Sequence, residues 1–513
     1  MKAKTGLLLL VIIGFLFLFF RFNDFFRTPN SRVVEPYGDG FKAYTVIWYH
    51  AKYDSTYSHF EGMNYPYGDH AVSSATQPIV SNTIKWISRN FYDISDYTIG
   101  IVNLSMLLSF LACMVVLYLI FVKLGMPVWY SILIAFGVGV LSPQTYRILA
   151  HYGLAHPVVM PLIFYLWLLF QEKRSWKYSV MMGLTLWFFA QVHFYYFAII
   201  GFAVSLLFLF DFLLERMPWK KLPNYAMHYG IQIVIPLIYF FVWLYANDTV
   251  EDRNQYPWGF FAYRMHWEGL FTSLTQPHFR AINKLIEIRQ LDYEAKSYLG
   301  FVAALGFLIL LLRIFANQFR KLPLFEEVAG RKYLNTLFFT GISAFIFSLG
   351  IPFIIPGLEG LLDYTGPLRQ FRSIARFAWI FFYTSNIIMF VMLFHWFKNS
   401  HRYLIILAIL ILGFEAYNFN IHLKPDLDEV KEFEEGQRFS DIANIDFSKY
   451  QAIQTVPYYN IGSDNFWWEP EGFILQKSLT LSVQTGLPVT SAMLTRTSLS
   501  HTINLLQFAI EPY

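Results

Sequence analysis

Long blocks of apolar residues, separated by short polar loops, constrain the fold of this chain more than any other feature. Each block has roughly 15 to 22 residues, about the length that crosses the hydrocarbon core of a bilayer. Only 14% of the residues are charged, whereas a soluble domain usually carries about 25%. The chain lacks the polar surface that a soluble protein of 513 residues needs. The sequence therefore predicts an all-α polytopic membrane protein.

About eleven blocks qualify as membrane spans, with boundaries that are soft by several residues. The first block follows Lys2 and Lys4 and has no small-residue cleavage site after its apolar core. It therefore predicts a retained span and not a signal peptide. The predicted spans are residues 5–22, 100–121, 127–143, 155–171, 178–192, 194–214, 226–246, 298–315, 336–356, 374–397 and 403–420.

The basic residues of the short loops predict the orientation of the spans. Lysine and arginine concentrate in short loops on the side of the N-terminus, at residues 173–177, 216–221, 320–332 and 398–402. The positive-inside rule makes that side cytoplasmic. The other side receives the loops 23–99 and 247–297 and the tail 421–513. The sequence predicts a multi-pass protein of the cytoplasmic (inner) membrane with a cytoplasmic N-terminus and an extracytoplasmic C-terminus.

The large outer segments have secondary structure of their own. Residues 41–53 and 79–92 predict two interfacial helices in the first outer loop, the second of them amphipathic. The tail mixes a polar helical pattern at 426–439 with a strand candidate at 452–456. We expect a transmembrane domain at residues 1–420 and a small α/β outer module after it. The sequence ends without a closing element, which predicts a truncated or partial module.

The first outer loop contains the tetrapeptide Pro-Tyr-Gly-Asp twice, ending at Asp39 and at Asp69. Glycines on both sides of Asp39 allow a sharp bend and leave its carboxylate uncovered. At the membrane edge such a carboxylate can act as a general base. Asp69 and His70 form a second candidate, for binding a metal ion or for contact with substrate. The alternative is that both copies are plain turns, and for the second copy the turn is the preferred interpretation.

Three arginines lie on the predicted outer side, against the positive-inside trend. Their spacing of three and four residues predicts one shared helix face, and guanidinium groups suit phosphate. Binding of lipid headgroups, or pairing with Glu359 and Asp363, explains them equally well. The residues are Arg369, Arg372 and Arg376.

Further candidates for substrate binding lie near the predicted outer ends of the spans. Polar residues at such depths usually face a cavity, although a structural hydrogen bond from a packed histidine is an equally good explanation. His193 and Tyr196 belong to a tight hairpin between two spans. The set comprises Arg147, His151, His156, His193 and Tyr196.

Other classes of site and partner find little support. No set of Cys, His, Asp and Glu shows the spacing of a metal site, so we predict no metal centre and no cofactor and leave a need for a divalent cation open. The only cysteine, Cys113, lies in an apolar run, which excludes a disulfide framework. The net charge of +4 is small and the basic residues form no long run, so nucleic acid is not an expected partner.

This layout resembles the GT-C superfamily of integral membrane glycosyltransferases, which includes protein O-mannosyltransferases and the aminoarabinose transferases of lipid A. The shared features are the inner N-terminus, the long first outer loop with an early acidic residue, the many spans and the outer C-terminal module. They cover most of residues 1–420 as architecture more than as motif. The mannosyltransferase branch typically has adjacent acidic residues in this loop, whereas this chain has Gly38-Asp39-Gly40.

The resemblance implies a bacterial membrane transferase that takes a sugar from a polyprenyl-phosphate-linked donor. The acceptor would be a glycan, a lipid or a protein at the outer face, and membrane lipids would surround the enzyme. Asp39 would be the general base, and Arg369, Arg372 and Arg376 would hold the lipid phosphate. The chemistry fits these residues, because a phosphate leaving group requires a base and a cationic clamp but no nucleotide-binding domain.

Three other functions remain open at this point. A lipid or polysaccharide transporter or flippase would carry ionisable residues at mid-membrane and paired halves, and the sequence has few of the former and none of the latter. A polymerase or ligase of surface polysaccharide usually has its large loop late in the chain. A non-catalytic assembly protein would use the tail to bind a partner.

Overall fold

The chain is mostly helical, and helices occupy nearly all of the apolar blocks. The structure is a computed structural model that describes residues 2–35, 38–214, 218–256, 258–316, 330–428, 431–432, 442, 444–456, 461–462, 465–468 and 472–507. Pro36 and Tyr37 of the first tetrapeptide, and most of the helix predicted at 426–439, lie outside these residues.

The α-helices follow the apolar blocks, with additional short helices in the loops and the tail. They are α1 (Ala3–Arg21), α2 (Asn23–Arg27), α3 (Gly38–Lys52), α4 (Pro78–Asn90), α5 (Thr98–Lys123), α6 (Val128–Val140), α7 (Val159–Lys173), α8 (Trp176–Val192), α9 (Tyr195–Leu214), α10 (Leu222–Tyr229), α11 (Ile235–Asn247), α12 (Glu268–Phe271), α13 (Pro277–Asn283), α14 (Phe301–Ala316), α15 (Arg331–Ser348), α16 (Ala378–Phe397), α17 (Arg402–Asp428), α18 (Gly472–Thr485) and α19 (Leu499–Leu506).

Seven helices in the described part of the chain are long and apolar enough to cross a membrane, and a bent pair makes an eighth. The bent pair joins α6 to the 3-10 helix Pro143–Leu149 at an angle of 41°. Helices α8, α14 and α15 cover three further predicted spans, but they are too short or too polar for the same criterion. The chain is thus a multi-pass integral membrane protein, and each predicted span overlaps a helix.

Helix α16 is the centre of the bundle. In an apolar 18-residue stretch of the span Ile374–Phe397, 89% of the residues are buried inside the protein, whereas only 22% are buried in the corresponding stretch of α1. A helix that is apolar on all sides belongs in the interior, and one with a large exposed apolar face belongs against lipid. The N-terminal end of this central span therefore carries its side chains into the protein interior.

Helix α3 corrects the prediction of a helix that lies on the membrane surface. Residues 40–51 of α3 are almost all buried, including Phe41, Tyr44 and Ile47. Helix α18 of the tail and α4 of the same loop pack against α3. The tail therefore covers a helix that the sequence alone places at the interface.

A buried polar network joins α3 to α4. His50 Nδ1 lies 2.5 Å from Asp54 Oδ2, and its Nε2 lies 3.0 Å from Asn82 Oδ1. Lys85 Nζ lies 3.3 Å from His50 Nε2. Buried polar groups are stable only when they are paired, so this network fixes the relative position of the two helices.

The strands are short: one pair attaches the tail to the first loop, a second pair lies within that loop, and the others form a small sheet in the tail. Strand β1 (Arg32–Val33) pairs antiparallel with β4 (Lys431–Glu432), and β2 (His59–Phe60) pairs antiparallel with β3 (Asp69–His70). The tail holds a sheet in the order β6-β5-β7, made of β5 (Ile461–Gly462), β6 (Trp467–Trp468) and β7 (Ala492–Met493). The strand predicted at 452–456 is wrong in extent, because only Ile453 bridges there, to Val489.

Candidate active site

Asp39 lies at an exposed turn that starts α3. Gly38 has a φ of +55° and the matching Gly68 has a φ of +64°, so both copies of the tetrapeptide use a glycine where other residues are strained. Asp39 is exposed in the first turn of α3 and makes no hydrogen bond within the described ranges. The geometry leaves its carboxylate open to an incoming group.

Glu35 lies beside Asp39 and fills a different role. The backbone N–H of Gly40 donates to Glu35 Oε2 at 2.8 Å, and the N–H of Glu35 donates to the Tyr152 hydroxyl at 3.1 Å. Burial, and to a lesser degree the charge of Asp39, raises the pKa of Glu35 to about 7 against the opposing bond from Gly40. This carboxyl therefore changes its charge close to neutral pH.

The stability of the protein should consequently depend on the protonation of Glu35. Its pKa is higher in the folded than in the unfolded state, so the contribution is complete below about pH 4.5 and is lost as the pH rises through about 7. We expect Glu35→Gln to remove this slope, on the order of 1 kcal/mol after allowance for partial exposure. Thermal unfolding between pH 5 and 8, with the parent chain as reference, measures it, and parallel pH profiles would contradict the assignment.

A buried ion cluster is centred on Glu294, which lies in the short 3-10 helix Tyr293–Ala295 of the second large loop. Arg376 reaches it from the start of the central span, with Nη2 at 2.6 Å from Oε1 and Nε at 2.9 Å from Oε2. Arg147 Nη1 lies 3.0 Å from Oε1, and His151 Nε2 lies 3.6 Å from it. Arg147 is fully buried. Two guanidinium groups thus surround one carboxylate, and the cluster keeps a net positive charge.

Aromatic rings and a hydroxyl complete the walls of the cluster. Arg376 stacks on Tyr195 at 4.1 Å and Arg147 stacks on Tyr293 at 4.4 Å. The Ser373 hydroxyl donates to Glu294 Oε2 at 3.1 Å. Such stacking holds guanidinium planes in one orientation, so the cations are fixed before any ligand arrives.

The charge environment links this cluster to Asp39. Burial would raise the pKa of Glu294, but the charges of Arg147 and Arg376 outweigh it and hold that pKa below its usual range. Burial lowers the pKa of His151 to about 4, against the opposing charges of Glu294 and Asp39. His151 is therefore neutral at pH 7, and Asp39 lies within electrostatic reach of it. The structure brings together Arg147, His151 and Arg376 of the predicted set. The start of α3 is tied to the same region by Glu35, whose N–H donates to Tyr152, the residue that follows His151.

The prediction that the three arginines share one helix face is wrong. The chain is extended at Phe371 and Ser373, between two 3-10 helices. Arg369 turns to the surface, where it bonds Tyr256 Oη at 2.8 Å. The side chain of Arg372 lies over the Trp258 ring at 4.6 Å, and only Arg376 enters the ion cluster. Helical spacing in sequence did not apply because the segment is not a continuous helix.

Histidine and tyrosine candidates of the hairpin carry structural contacts. The Tyr196 hydroxyl is buried and donates to the carbonyl oxygen of Leu154 at 2.8 Å, with that of His156 at 3.3 Å. His193 Nδ1 accepts the backbone N–H of Tyr195 at 3.3 Å. These contacts are the structural hydrogen bonds that the sequence analysis gave as the alternative to substrate binding. They stabilise the turn that contains Tyr195.

Asp69 and His70 belong to a separate buried latch. Asp69 Oδ1 lies 2.6 Å from Arg253 Nη2, which also lies 2.6 Å from Asp248 Oδ1. His70 packs edge-on against Trp243 at 5.2 Å. Among the described residues no hydrogen bond or ion pair joins this latch to the Glu294 cluster. The latch ties the first loop to the second, as a turn or cover would.

Glu294 is the central residue that sequence reasoning missed. It lies in a charged loop segment and belongs to no motif, and its partners are distant in sequence. The available signal was the arginines on the predicted outer side, since cations buried there require a counter-charge.

The described residues contain no group of three or more His, Cys, Asp or Glu that could hold a metal ion.

Fold and site together define a multi-pass helical membrane protein with an exposed carboxylate beside a buried cationic cluster. Among solved structures, the crystal structure of the Archaeoglobus fulgidus oligosaccharyltransferase in the apo form matches with a TM-score of 0.50 at 12% identity, over 96% of this chain and 64% of that chain. The archaeal oligosaccharyltransferase AglB from Archaeoglobus fulgidus, in complex with an inhibitory peptide and a dolichol-phosphate, gives 0.47 at 12%, over 95% and 64%. The chain thus spans 64% of the length of these proteins, and the likeness concerns the fold.

The family is shown by sequence. The chain belongs to the family described as Domain of unknown function (DUF6311), whose family model matches residues 11–414. No curated protein matches the chain.

Proposed function

We propose that this protein is a membrane glycosyltransferase that moves a sugar from a polyprenyl-phosphate-linked donor to an acceptor on the outer face of the cytoplasmic membrane. The observation that carries the proposal is the exposed Asp39 at the start of α3, whose charge acts on His151 at the edge of the cluster that holds Arg147 and Arg376. The fold supports it, because it resembles the apo oligosaccharyltransferase of Archaeoglobus fulgidus and agrees with a GT-C architecture.

The proposed reaction requires one base and one cationic contact. Asp39 accepts the proton of an acceptor hydroxyl, while the hydroxyl oxygen forms a bond to the anomeric carbon of the sugar. The bond between that carbon and the phosphate oxygen breaks, and the electron pair leaves with polyprenyl phosphate. The positive charge of Arg372, Arg376 and Arg147 stabilises the developing phosphate charge.

The remaining predicted residues have supporting places in this proposal. Arg369 lies three residues before Arg372 and bonds Tyr256 and Gln255 of the second large loop, so it would hold that loop beside the donor site. His156, His193 and Tyr196 hold the hairpin behind Tyr195. Asp69 and His70 keep the two large loops together through Arg253. Replacement of one of these supporting residues would weaken the site but would leave the base and the cationic contact in place.

The test is release of polyprenyl phosphate by the full-length protein in proteoliposomes. We expect release from polyprenyl-phosphate-linked sugar when an envelope extract supplies acceptors, and none with a heat-treated protein. Movement of the intact labelled donor across the bilayer, with no covalent product, would instead establish a flippase and overturn the proposal.

A further inference from the structure

A polar cavity borders the Glu294 cluster on the side of the second large loop. It has a volume of about 110 Å³, and its lining includes Tyr263, Arg264, His266, Arg289, Asp292 and Glu294. One water occupies about 10–15 Å³ of such a volume, so the cavity can hold a carboxylate or phosphate group. The mechanism proposed above does not use this cavity.

Arg264 is the half-buried cation of the cavity. In the part of the chain that the structure describes, its side chain makes no hydrogen bond and no ion pair. Arg289 contributes a second guanidinium group, which lies 3.5 Å from His266 Nδ1. Burial lowers the pKa of His266, and the charges of Arg289 and Arg264 lower it further, so this histidine is neutral at pH 7. A partly buried guanidinium without a counter-ion is a binding group for an oxyanion.

The surrounding charges also favour an anion. Glu294 is already engaged by two buried arginines, and Asp292 is exposed and accepts the backbone N–H of Glu294 at 2.9 Å. The lining has two arginines, Arg264 and Arg289, and two carboxylates, Asp292 and Glu294. Because Arg147 and Arg376 already compensate Glu294, Asp292 is the lining carboxylate left to offset the two lining arginines.

Tyr263 connects the cavity to the Glu294 cluster, because the Ser373 hydroxyl lies 3.3 Å from the Tyr263 carbonyl oxygen and 3.1 Å from Glu294 Oε2. Burial raises the pKa of Tyr263, and the charges of Asp292 and Asp39 add to this effect. The charge of Asp39 therefore acts on a residue that lines the cavity. The few apolar lining residues, Ala262, Leu291 and Ala295, offer no apolar path for an isoprenoid chain. These features match the acceptor side of the reaction and not the lipid side.

We propose that this cavity binds an oxyanion, a carboxylate or a phosphate, carried by the sugar acceptor, with Arg264 as the principal contact. The assignment to the acceptor rests on the proposed glycosyltransferase function, whereas the oxyanion site itself does not. The protein would therefore prefer acidic acceptors, such as glycans with uronic acid or phosphate groups, over neutral ones.

Binding to the full-length protein in nanodiscs of neutral lipid tests the site without any enzymatic assay. The probes are inorganic phosphate, glucuronate and the neutral sugar glucose. Binding of each probe is measured by the rise in melting temperature of the protein and by calorimetry. We expect phosphate and glucuronate to bind and glucose not to bind. Arg264→Gln should weaken both anions by about tenfold to a hundredfold, and Arg264→Lys should recover part of the loss.

Arg280→Gln is the matched control, because Arg280 is an exposed arginine of the same loop outside the cavity. It should bind both anions as the parent chain does, and a melting curve for each variant shows that it is folded. Equal anion binding by Arg264→Gln and the parent chain, or no binding by the parent chain, overturns the site.

A further arm separates the acceptor from the donor. In nanodiscs that contain polyprenyl phosphate, the Arg264→Gln variant and the parent chain should bind this lipid equally well. If the variant loses polyprenyl phosphate to the same degree as glucuronate, the cavity belongs to the donor and the acceptor assignment is overturned. Anion binding that depends on Arg264, in a protein that transfers no sugar, would disprove the glycosyltransferase and leave the oxyanion site standing.

Discussion

Asp39→Asn is expected to lower sugar transfer by about 10²- to 10⁴-fold, the usual range for loss of a general base. The substitution keeps the size of the side chain and removes only its capacity to accept a proton. Asp39 is exposed and makes no hydrogen bond within the described ranges, so the fold should be unaffected. Release of polyprenyl phosphate at saturating donor concentration measures the effect, and a melting curve confirms the folded state.

Asp24→Asn is the control for this experiment. Asp24 also follows α1 on the predicted outer side, its side chain is 61% exposed, and it pairs weakly with Arg32 at 3.8 Å. Its replacement should leave transfer within about twofold of the parent chain, because exposed ion pairs contribute about 0–1 kcal/mol. Full transfer activity in Asp39→Asn would show that another group is the base, and Glu35 would then be the nearest carboxyl to examine.

Most of the fold could be predicted from the hydropathy pattern and from the positions of glycines. The apolar blocks correspond to helices, because a chain in lipid must satisfy its backbone hydrogen bonds within each segment. Gly38 and Gly68 follow the same logic on a local scale, since both adopt positive φ in the two copies of one turn. Features that depend on a few neighbouring residues are therefore predictable from a single sequence.

The candidate site was less predictable because its contacts are distant in sequence. Glu294 meets Arg147 and Arg376, which are 147 and 82 positions away. The regular spacing of Arg369, Arg372 and Arg376 predicted a common helix face, yet the extended backbone at Phe371 separates them. Spacing is informative only inside a continuous helix, and the sequence contained no sign that the helix begins after Arg376.

Tertiary cover explains the remaining difference. The aromatic side chains of α3 suited a membrane interface, but α18 of the tail packs against this helix and buries it. Tyr49 of α3 donates its hydroxyl hydrogen to the carbonyl oxygen of Gly486 at 2.9 Å across this contact. An apolar helix can be covered by lipid or by protein, and composition does not distinguish the two.

Glu294→Gln is expected to destabilise the protein by about 3–5 kcal/mol, because it leaves two buried arginines without their counter-charge. The pKa of Glu294 is held below its usual range by Arg147 and Arg376, although burial acts in the opposite direction. A depressed pKa stabilises the folded state above the unfolded pKa and loses that contribution as the pH falls. The loss on substitution should therefore be complete at pH 7 and should shrink only under strongly acidic conditions. Thermal unfolding in nanodiscs measures it.

Asp363→Asn separates this effect from the loss of any carboxylate near an arginine. Asp363 pairs with Arg369 at 3.9 Å, and its side chain is 60% exposed, so its replacement should cost less than about 1 kcal/mol. If Glu294→Gln costs as little stability as Asp363→Asn, other groups must compensate the charges of Arg147 and Arg376. Glu294 would then not be the residue that holds these two arginines in place. If only Glu294→Gln is severe, the second loop is held on the central span by charge.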